Sequence, residues 1–446
     1  MRFSAASFGA VLTTHLPRRA TGLVVALSGG MDSGCLLAAA AEWRSEKDSL
    51  PVRAIHIDHG LQSAAAAFRR ACTALCERFQ VPLRIIAVPV DTAAGVSLEE
   101  AAREARYAAL AAALEPGECL VTAHHGEDQA ETFLLQSLRG AGLKGLSSMP
   151  VCRPFGAGWH LRPLLEATRR DLCRYAEALA LGKVEDPMNQ DLRFDRVYLR
   201  RRLWPLIESR WPGAVKALVR TAEHAAEAQA VLDGVADADL AILCDRDALS
   251  VSRLRGLDSG RRSNAVRRWI ARAHALPPPT ARLHEALRQM LDAGDGQLPS
   301  IVWGAHALRR YRDRIHLTAA EPARLAAEYA WDHGSGTVLD LGPGLGRLRR
   351  VPTPGGLNAA ELPATLRVRG RAGGETIKPA PRAATQSVQH LCQARAVLPW
   401  MRGALPFVFA GAELIAVGDL WFDARRRVGP GDPGVVFQWE DAPVVF

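Results

Sequence analysis

Lysine is nearly missing from this chain. Of its 446 residues 56 are basic, yet only Lys47, Lys144, Lys183, Lys216 and Lys378 are lysine; the other 51 are arginine. No lysine precedes Lys47, so the first half-turns of the fold cannot hold the Gly-x-x-x-x-Gly-Lys-Ser/Thr phosphate loop, whose lysine serves the terminal phosphates. The eight cysteines are scattered from Cys35 to Cys392 without a repeated Cys-x-x-Cys pair, which argues against a zinc ribbon, a disulfide scaffold or a thiol relay. Cys72 and Cys76 fall four apart in an Ala/Leu helical pattern and read as small buried side chains. This cysteine usage fits a reducing, cytoplasmic setting. No apolar run approaches the length of a membrane span, so no membrane partner is expected. Ser4, Ser7 and His15 interrupt the weakly apolar start, which argues against a signal peptide. Neither Met1-Arg2 nor the Ala-rich segment after it offers the cysteine nucleophile of a glutaminase.

What remains is an ordinary globular composition, 48% hydrophobic and 23% charged, on a chain long enough for two or three domains. The formal net charge is +9. Arginine forks onto phosphate and stacks on bases, which suits an RNA partner, although a GC-rich coding bias would also enrich arginine and alanine. Charge alone therefore does not establish the partner.

The most informative stretch is Leu23-Val24-Val25-Ala26-Leu27-Ser28-Gly29-Gly30-Met31-Asp32-Ser33. An apolar β-branched run stops at two glycines, and strong helix formers follow from Cys35: a strand, a tight turn and a helix start. Gly29 and Gly30 remove Cβ atoms where backbone N–H groups must approach an anion, and the helix N-terminus presents further N–H groups to it. Ser28 and Ser33 add hydroxyls, and Asp32 is suited to recruit Mg2+ on the phosphates. A phosphate cradle without the lysine suits pyrophosphate as a leaving group, hence cleavage of ATP between its α and β phosphates.

The first half alternates strands (Leu23–Leu27, Arg53–Asp58, Leu83–Val90, Cys119–Ala123) with helices, one opening on a Ser97/Glu100 capping box and running through Leu114. Such alternation predicts an α/β fold, a doubly wound parallel sheet with ligands at the carboxyl ends of its strands. The cradle, His56–His59 and His124–Asp128 all fall at such ends. From Trp204 onward the pattern turns helical (Ala214–Ala241, Arg261–Ala275, Ala281–Ala293), and the stretch from Leu339 reads as a small α+β or mostly β domain. These shifts predict domains over residues 1–212, 213–325 and 340–446.

His56-Ile57-Asp58-His59-Gly60-Leu61-Gln62, Thr122-Ala123-His124-His125-Gly126-Glu127-Asp128-Gln129-Ala130-Glu131-Thr132, Arg139-Gly140-Ala141-Gly142-Leu143-Lys144-Gly145-Leu146, Glu185-Asp186-Pro187-Met188-Asn189 and Leu398-Pro399-Trp400-Met401-Arg402 follow the cradle in order. Together they resemble the tRNA(Ile)-lysidine synthase family of the N-type ATP pyrophosphatase (PP-loop) superfamily, over nearly the full length and most strongly across residues 23–205. The resemblance implies an adenine nucleotide alpha hydrolase-like catalytic domain, a helical tRNA-binding domain and a C-terminal tRNA-recognition domain. It implies ligation of free L-lysine to carbon 2 of the wobble cytidine in the CAU anticodon of tRNA(Ile), with ATP and Mg2+ consumed through an adenylated RNA intermediate, and a homodimer is compatible with it.

By that resemblance Ser28, Gly29, Gly30, Met31, Asp32 and Ser33 hold ATP with His59 nearby, and Asp32 and Asp128 are the metal contacts. Asp32, His125 and Asp128 line the catalytic edge, while Arg106 and Arg139 steady charge during adenylation. Lysine must react as a free amine, so a nearby base, with Asp186 and Glu131 as options, takes its proton. Arg196 and Arg200 share a helix face by i, i+4 spacing and, with Arg201, are read as RNA backbone contacts. The runs Arg309-Arg310, Arg312, Arg314 and Arg425–Arg427 read equally well as RNA contacts or as structure. Glu127 stands where the family more often has Asp, and Gln62 where it often has Arg. The other classes in view are a tRNA-thiolating ATP pyrophosphatase, disfavoured by the cysteines, and a non-catalytic RNA-binding protein, disfavoured by the intact cradle.

Overall fold

Strand β1 (Gly22–Ala26) is buried on both faces through Leu23, Val24 and Val25, which places it at the centre of a parallel sheet rather than on an edge. In this computed structural model, residues 3–45, 50–59, 65–89, 98–182, 191–294, 296–334 and 337–445 are described. The chain divides into two compact units, Met1–Leu232 and Asp233–Phe446.

In the first unit α1 (Ala5–His15) precedes β1, and then come α2 (Met31–Arg44), β2 (Val52–Asp58), α3 (Ala65–Arg78), β3 (Leu83–Ala87), α4 (Leu98–Ala112) and β4 (Glu118–Val121). They are followed by α5 (Gly126–Leu138), α6 (Leu143–Leu146), the hairpin β5 (Cys152–Phe155) and β6 (Gly158–Leu161), and α7 (Arg169–Ala178). The six strands lie in the order β3-β2-β1-β4-β6-β5, all parallel except β5, which runs antiparallel to β6. Strand order reverses between β1 and β4, so the loops that leave them part to opposite sides and open a crevice at their carboxyl ends. The cradle turn and His124–Asp128 are those two loops.

The expected α/β sheet is present, with shorter strands. The run Leu83–Val90 ends as a strand at Ala87, because β3 is the exposed edge and Ile85 is 42% exposed there. Val90, the Ser97 cap, Gly60–Gln62 and Glu185–Asn189 with Asp186 lie outside the described residues. Past α7, α8 (Asp195–Tyr198) continues through a π-turn (Leu199–Leu203) into α9 (Trp204–Arg210). Leu199 and Trp204 pack on Ala130 of α5, which seats this arginine-rich segment against the site helix.

Helix α10 (Ala214–Leu243) leads into the second unit, which adds β7 (Cys244–Asp245), β8 (Ala248–Ser250), α11 (Val251–Arg255), α12 (Ser259–Arg272), α13 (Thr280–Asp292), β9 (Ser300–Trp303), β10 (His306–Tyr311) and β11 (Arg314–Ala319). The helices fall where periodicity placed them: Val266, Trp269 and Ile270 of α12 pack with Leu283, Leu287 and Met290 of α13. The region over 213–325, read as helical, carries those helices and also an antiparallel sheet in the order β7-β8-β11-β10-β9 that packs on them. Its arginines hid it. Arg310 is buried and its guanidinium donates to the carbonyls of Met290 (2.7 Å) and Ala293 (2.8 Å), closing the C-terminus of α13. Arg309 donates to Ala319 and Ala320, both at 2.7 Å. Both are structural. From Tyr329 to Glu440 the fold is mostly β, as expected, around a core that includes Leu366, Phe407, Ile415 and Phe437.

Gly158 begins β6, and a Cβ there would collide with the carbonyl oxygen of Glu118 on β4. Gly158→Ala is therefore expected to part these strands and cost about 3 kcal/mol, read as a lower chemical-denaturation midpoint; an unchanged midpoint would contradict this packing.

Candidate active site

The turn after β1 is held open by its own hydroxyls. Ser28 Oγ and Ser33 Oγ are 3.0 Å apart, the Ser28 N–H donates to Ser33 Oγ (3.2 Å), and Ser33 Oγ donates to the Gly30 carbonyl (3.0 Å). Gly29 sits at φ +85°, a left-handed conformation, and a Cβ on it would meet Phe68 Cδ1 at 3.1 Å. Gly30 is the N-cap of α2 and supplies no side-chain cap, so the first N–H groups of a 14-residue helix face outward for an anion. Met31, Asp32 and Ser33 form that first turn, and Met31 lies 3.7 Å (Sδ) from Cys173 Sγ.

Asp32 carries the most telling atom. Its Oδ1 is buried and meets no hydrogen-bond donor among the described residues, and burial raises its carboxyl above the usual range despite His125 and Arg169 nearby. A buried carboxylate oxygen without a partner is costly unless a cation takes it. A hard divalent cation fits this donor, and Asp32 stands in the first turn of the uncapped helix α2.

His125 begins the second loop as the N-cap of α5, and its side chain is 4% exposed. Its Nδ1 donates to Glu127 Oε2 (3.0 Å), and its Nε2 lies 3.5 Å from Asp128 Oδ2 and 3.8 Å from Asp32 Oδ2. Burial opposes charge on this ring, but the Glu127 bond and the Asp128 and Asp32 carboxylates outweigh it and hold the imidazolium above its usual range. Glu127 and Asp128 respond oppositely: burial raises them, and His125 more than offsets that, leaving both below the ordinary carboxylate range. Glu127 also accepts the Arg169 N–H at 2.9 and 3.0 Å, so its longer side chain spans from His125 to the N-terminus of α7.

Arg200 does not lie on an open face. Its guanidinium clasps Glu131 (2.8 and 2.9 Å) and reaches Asp128 Oδ1 at 3.2 Å, while Arg196 donates to Thr132 Oγ1 at 2.9 Å. The shared face inferred from their spacing is real, and it packs on α5, so both arginines already hold partners within the protein. Arg201 is exposed. Asp128, expected beside Asp32 as a metal ligand, has one oxygen accepting the His125 N–H (3.1 Å) and the other facing Arg200, so Asp32 is the carboxylate with an oxygen to spare. Arg139 caps the far end of α5, about 20 Å along the axis from His125, and its 3.5 Å ion pair with Asp195 is exposed. The structure does not bring it to the cradle. His59 follows β2; burial first and then Arg106 lower its pKa, which keeps the ring neutral. Arg106 thus belongs to the neighbouring strand end, its guanidinium 5.4 Å from the Tyr107 ring centroid.

A glycine turn feeding an uncapped helix at the reversal point of a parallel sheet, faced by a carboxylate–imidazolium cluster, defines a PP-loop nucleotide site. The PP-loop domain family matches residues 5–207, the TilS substrate binding domain residues 249–316, and the TilS substrate C-terminal domain residues 366–439. The chain is 40% identical to the tRNA(Ile)-lysidine synthase of Alkalilimnicola ehrlichii over 92% of each chain. It is 37% identical to that of Methylococcus capsulatus over 98% of this chain and 100% of the relative. Identity to the Pseudomonas aeruginosa protein of the same name is 39%, over 92% of this chain and 93% of that one. The chain belongs to the tRNA(Ile)-lysidine synthase family.

The cluster carries a pH signature. A raised imidazole contributes stability fully below its unfolded value and loses it as pH rises through the folded one; the lowered Glu127 and Asp128 contribute above their unfolded values and lose it as pH falls through the folded ones. The cluster is therefore most stabilising between the depressed carboxylates and the elevated imidazole. Glu127→Gln removes the largest support of the charged ring, and the His125 midpoint followed by NMR should fall by roughly 1 pH unit or more. An unmoved midpoint would contradict the assignment.

Proposed function

We propose that this protein attaches lysine to carbon 2 of the wobble cytidine of tRNA(Ile) with a CAU anticodon, in two steps at the crevice between β1 and β4. In the first, the cytidine O2 attacks the α-phosphorus of ATP, the bond to the bridging oxygen breaks, and pyrophosphate leaves. In the second, the ε-amine of lysine attacks carbon 2, the carbon–oxygen bond to AMP breaks, and the amine proton passes to a base. The observation that carries this reading is the uncapped N-terminus of α2 beside the orphaned Oδ1 of Asp32.

The amides of Gly30 to Ser33 and the hydroxyls of Ser28 and Ser33 bind the leaving pyrophosphate without a lysine. Asp32 would hold Mg2+, which supplies charge neutralisation on the phosphates when bound. His125, whose Nε2 lies 3.8 Å from Asp32 Oδ2 and 3.5 Å from Asp128 Oδ2, holds the Asp32 carboxylate and adds a positive field where charge builds during transfer. Glu131 and Asp128, already paired with Arg200, form an acidic pocket suited to an ammonium group; exchange of Arg200 for the lysine amine would leave a carboxylate to take its proton. Arg106 and His59 flank the nucleotide. Arg201 and the exposed Arg139 face solvent and suit the RNA backbone, with residues 213–325 and 340–446 as the tRNA-binding parts.

Purified protein with ATP, Mg2+, labelled lysine and a CAU-anticodon tRNA(Ile) transcript should retain label on the RNA and release AMP and pyrophosphate. Asp32→Ala should slow tRNA-dependent ATP–pyrophosphate exchange by about 100-fold or more. Release of ADP, or full exchange in that variant, would overturn the reading.

A further inference from the structure

Behind the site lies a buried polar chain that the mechanism above does not use. Arg162 on the loop after β6 donates from Nη2 to His160 Nδ1 (3.2 Å), and its Nη1 donates to the Pro150 carbonyl (2.8 Å). His160 Nε2 lies 2.8 Å from Thr122 Oγ1, and the same hydroxyl lies 2.8 Å from His124 Nδ1. His160 is 0% exposed, Arg162 4% and Thr122 7%.

The direction of these bonds follows from one end. A guanidinium has only donors. His160 Nδ1 must therefore accept, which puts its proton on Nε2 and makes it the donor to Thr122 Oγ1. The hydroxyl has one proton, and its remaining neighbour is His124 Nδ1, so it donates there. His124 Nδ1 accepts in turn, and the His124 proton resides on Nε2. Burial, with the Arg162 charge behind it, pushes His160 down to about 2 and pushes His124 down as well, which disfavours a second proton on either ring.

We propose that Arg162, His160 and Thr122 are positioning residues that fix His124 as the neutral Nε2–H tautomer, and that this N–H donates to an oxygen of the phosphoryl group being transferred. His124 follows β4, next to β1 in the sheet, at the reversal that carries the cradle. No hydrogen bond to its Nε2 is present among the described residues, and the ring is half-buried rather than enclosed. An electrically neutral donor complements the His125 imidazolium: it meets growing charge on the phosphoryl oxygens without adding a second buried cation. A neutral imidazole as hydrogen-bond donor is established chemistry in other enzymes.

This inference rests on the proposed adenylation, and two readouts separate their failures. Isotope-edited NMR of the histidine side-chain nitrogens in the wild-type protein should show His124 protonated at Nε2 alone, and Thr122→Val should mix the two tautomers. His124→Gln, whose amide nitrogen reaches the ε position, should keep ATP–pyrophosphate exchange within about 10-fold of wild type, whereas His124→Asn should lose about 100-fold, in kcat rather than in the KM for ATP. A proton on Nδ1, or equal activity of the two variants, would overturn the proposal. Absence of exchange in the wild-type protein would overturn the adenylation reading, and the tautomer would still uphold or overturn the relay by itself.

Discussion

Four carboxylates, from Asp32, Glu127, Asp128 and Glu131, meet at the carboxyl edge of β1 and β4, and the structure depends on how their charge is balanced. Basic groups of the chain do this: the His125 ring, its pKa raised by its bond to Glu127 and within 4 Å of Asp32 and Asp128, and Arg200, clasped on Glu131 and Asp128, with Arg169 near Asp32. Leaving any of these carboxylates charged and unpaired in a buried site would cost several kcal/mol. Of these carboxylate oxygens, Asp32 Oδ1 alone is buried without a hydrogen-bond partner among the described residues, and it lies beside the uncapped end of α2. The arrangement is thus incomplete in a directed way: it asks for a cation on one side and an anion on the other, which a metal-bound polyphosphate satisfies together.

Backbone geometry makes this charge arrangement possible. The reversal of strand order aims the loops after β1 and β4 into one crevice, and small residues let the chain close around it. Gly29 takes a positive φ against Phe68, and a Cβ on Gly126 would lie 3.2 Å from the Ala167 carbonyl, so the first turn of α5 abuts the loop that carries Arg169 to Glu127. The π-turn at Leu199–Leu203 adds a residue to the helical repeat just where Arg200 must point at α5, a common use of such turns near functional sites.

The strand–turn–helix at Ser28–Ser33 and the α/β alternation were legible because each is a local pattern: a β-branched run, two glycines and a helix with no capping side chain. Arg200 was legible only as a charge, since its partners Glu131 and Asp128 lie some 70 residues away in sequence. The hairpin of β10 and β11 went unread for a related reason. Its turn uses Arg312 at φ +54° rather than glycine, and buried Arg309 and Arg310 break the apolar alternation that marks a strand. His160 and Arg162 gave no signal either, because a buried polar chain with satisfied bonds is defined by tertiary contacts alone.

The central claim is that the spare oxygen of Asp32 and the open amides of α2 together clamp a metal-bound triphosphate. Crystals grown with Mn2+ and a non-hydrolysable ATP analogue test it most directly. The account predicts an anomalous manganese peak on Asp32, with the β and γ phosphates over the Gly29–Ser33 turn. Metal on other residues, or a triphosphate lodged away from this turn, would contradict it.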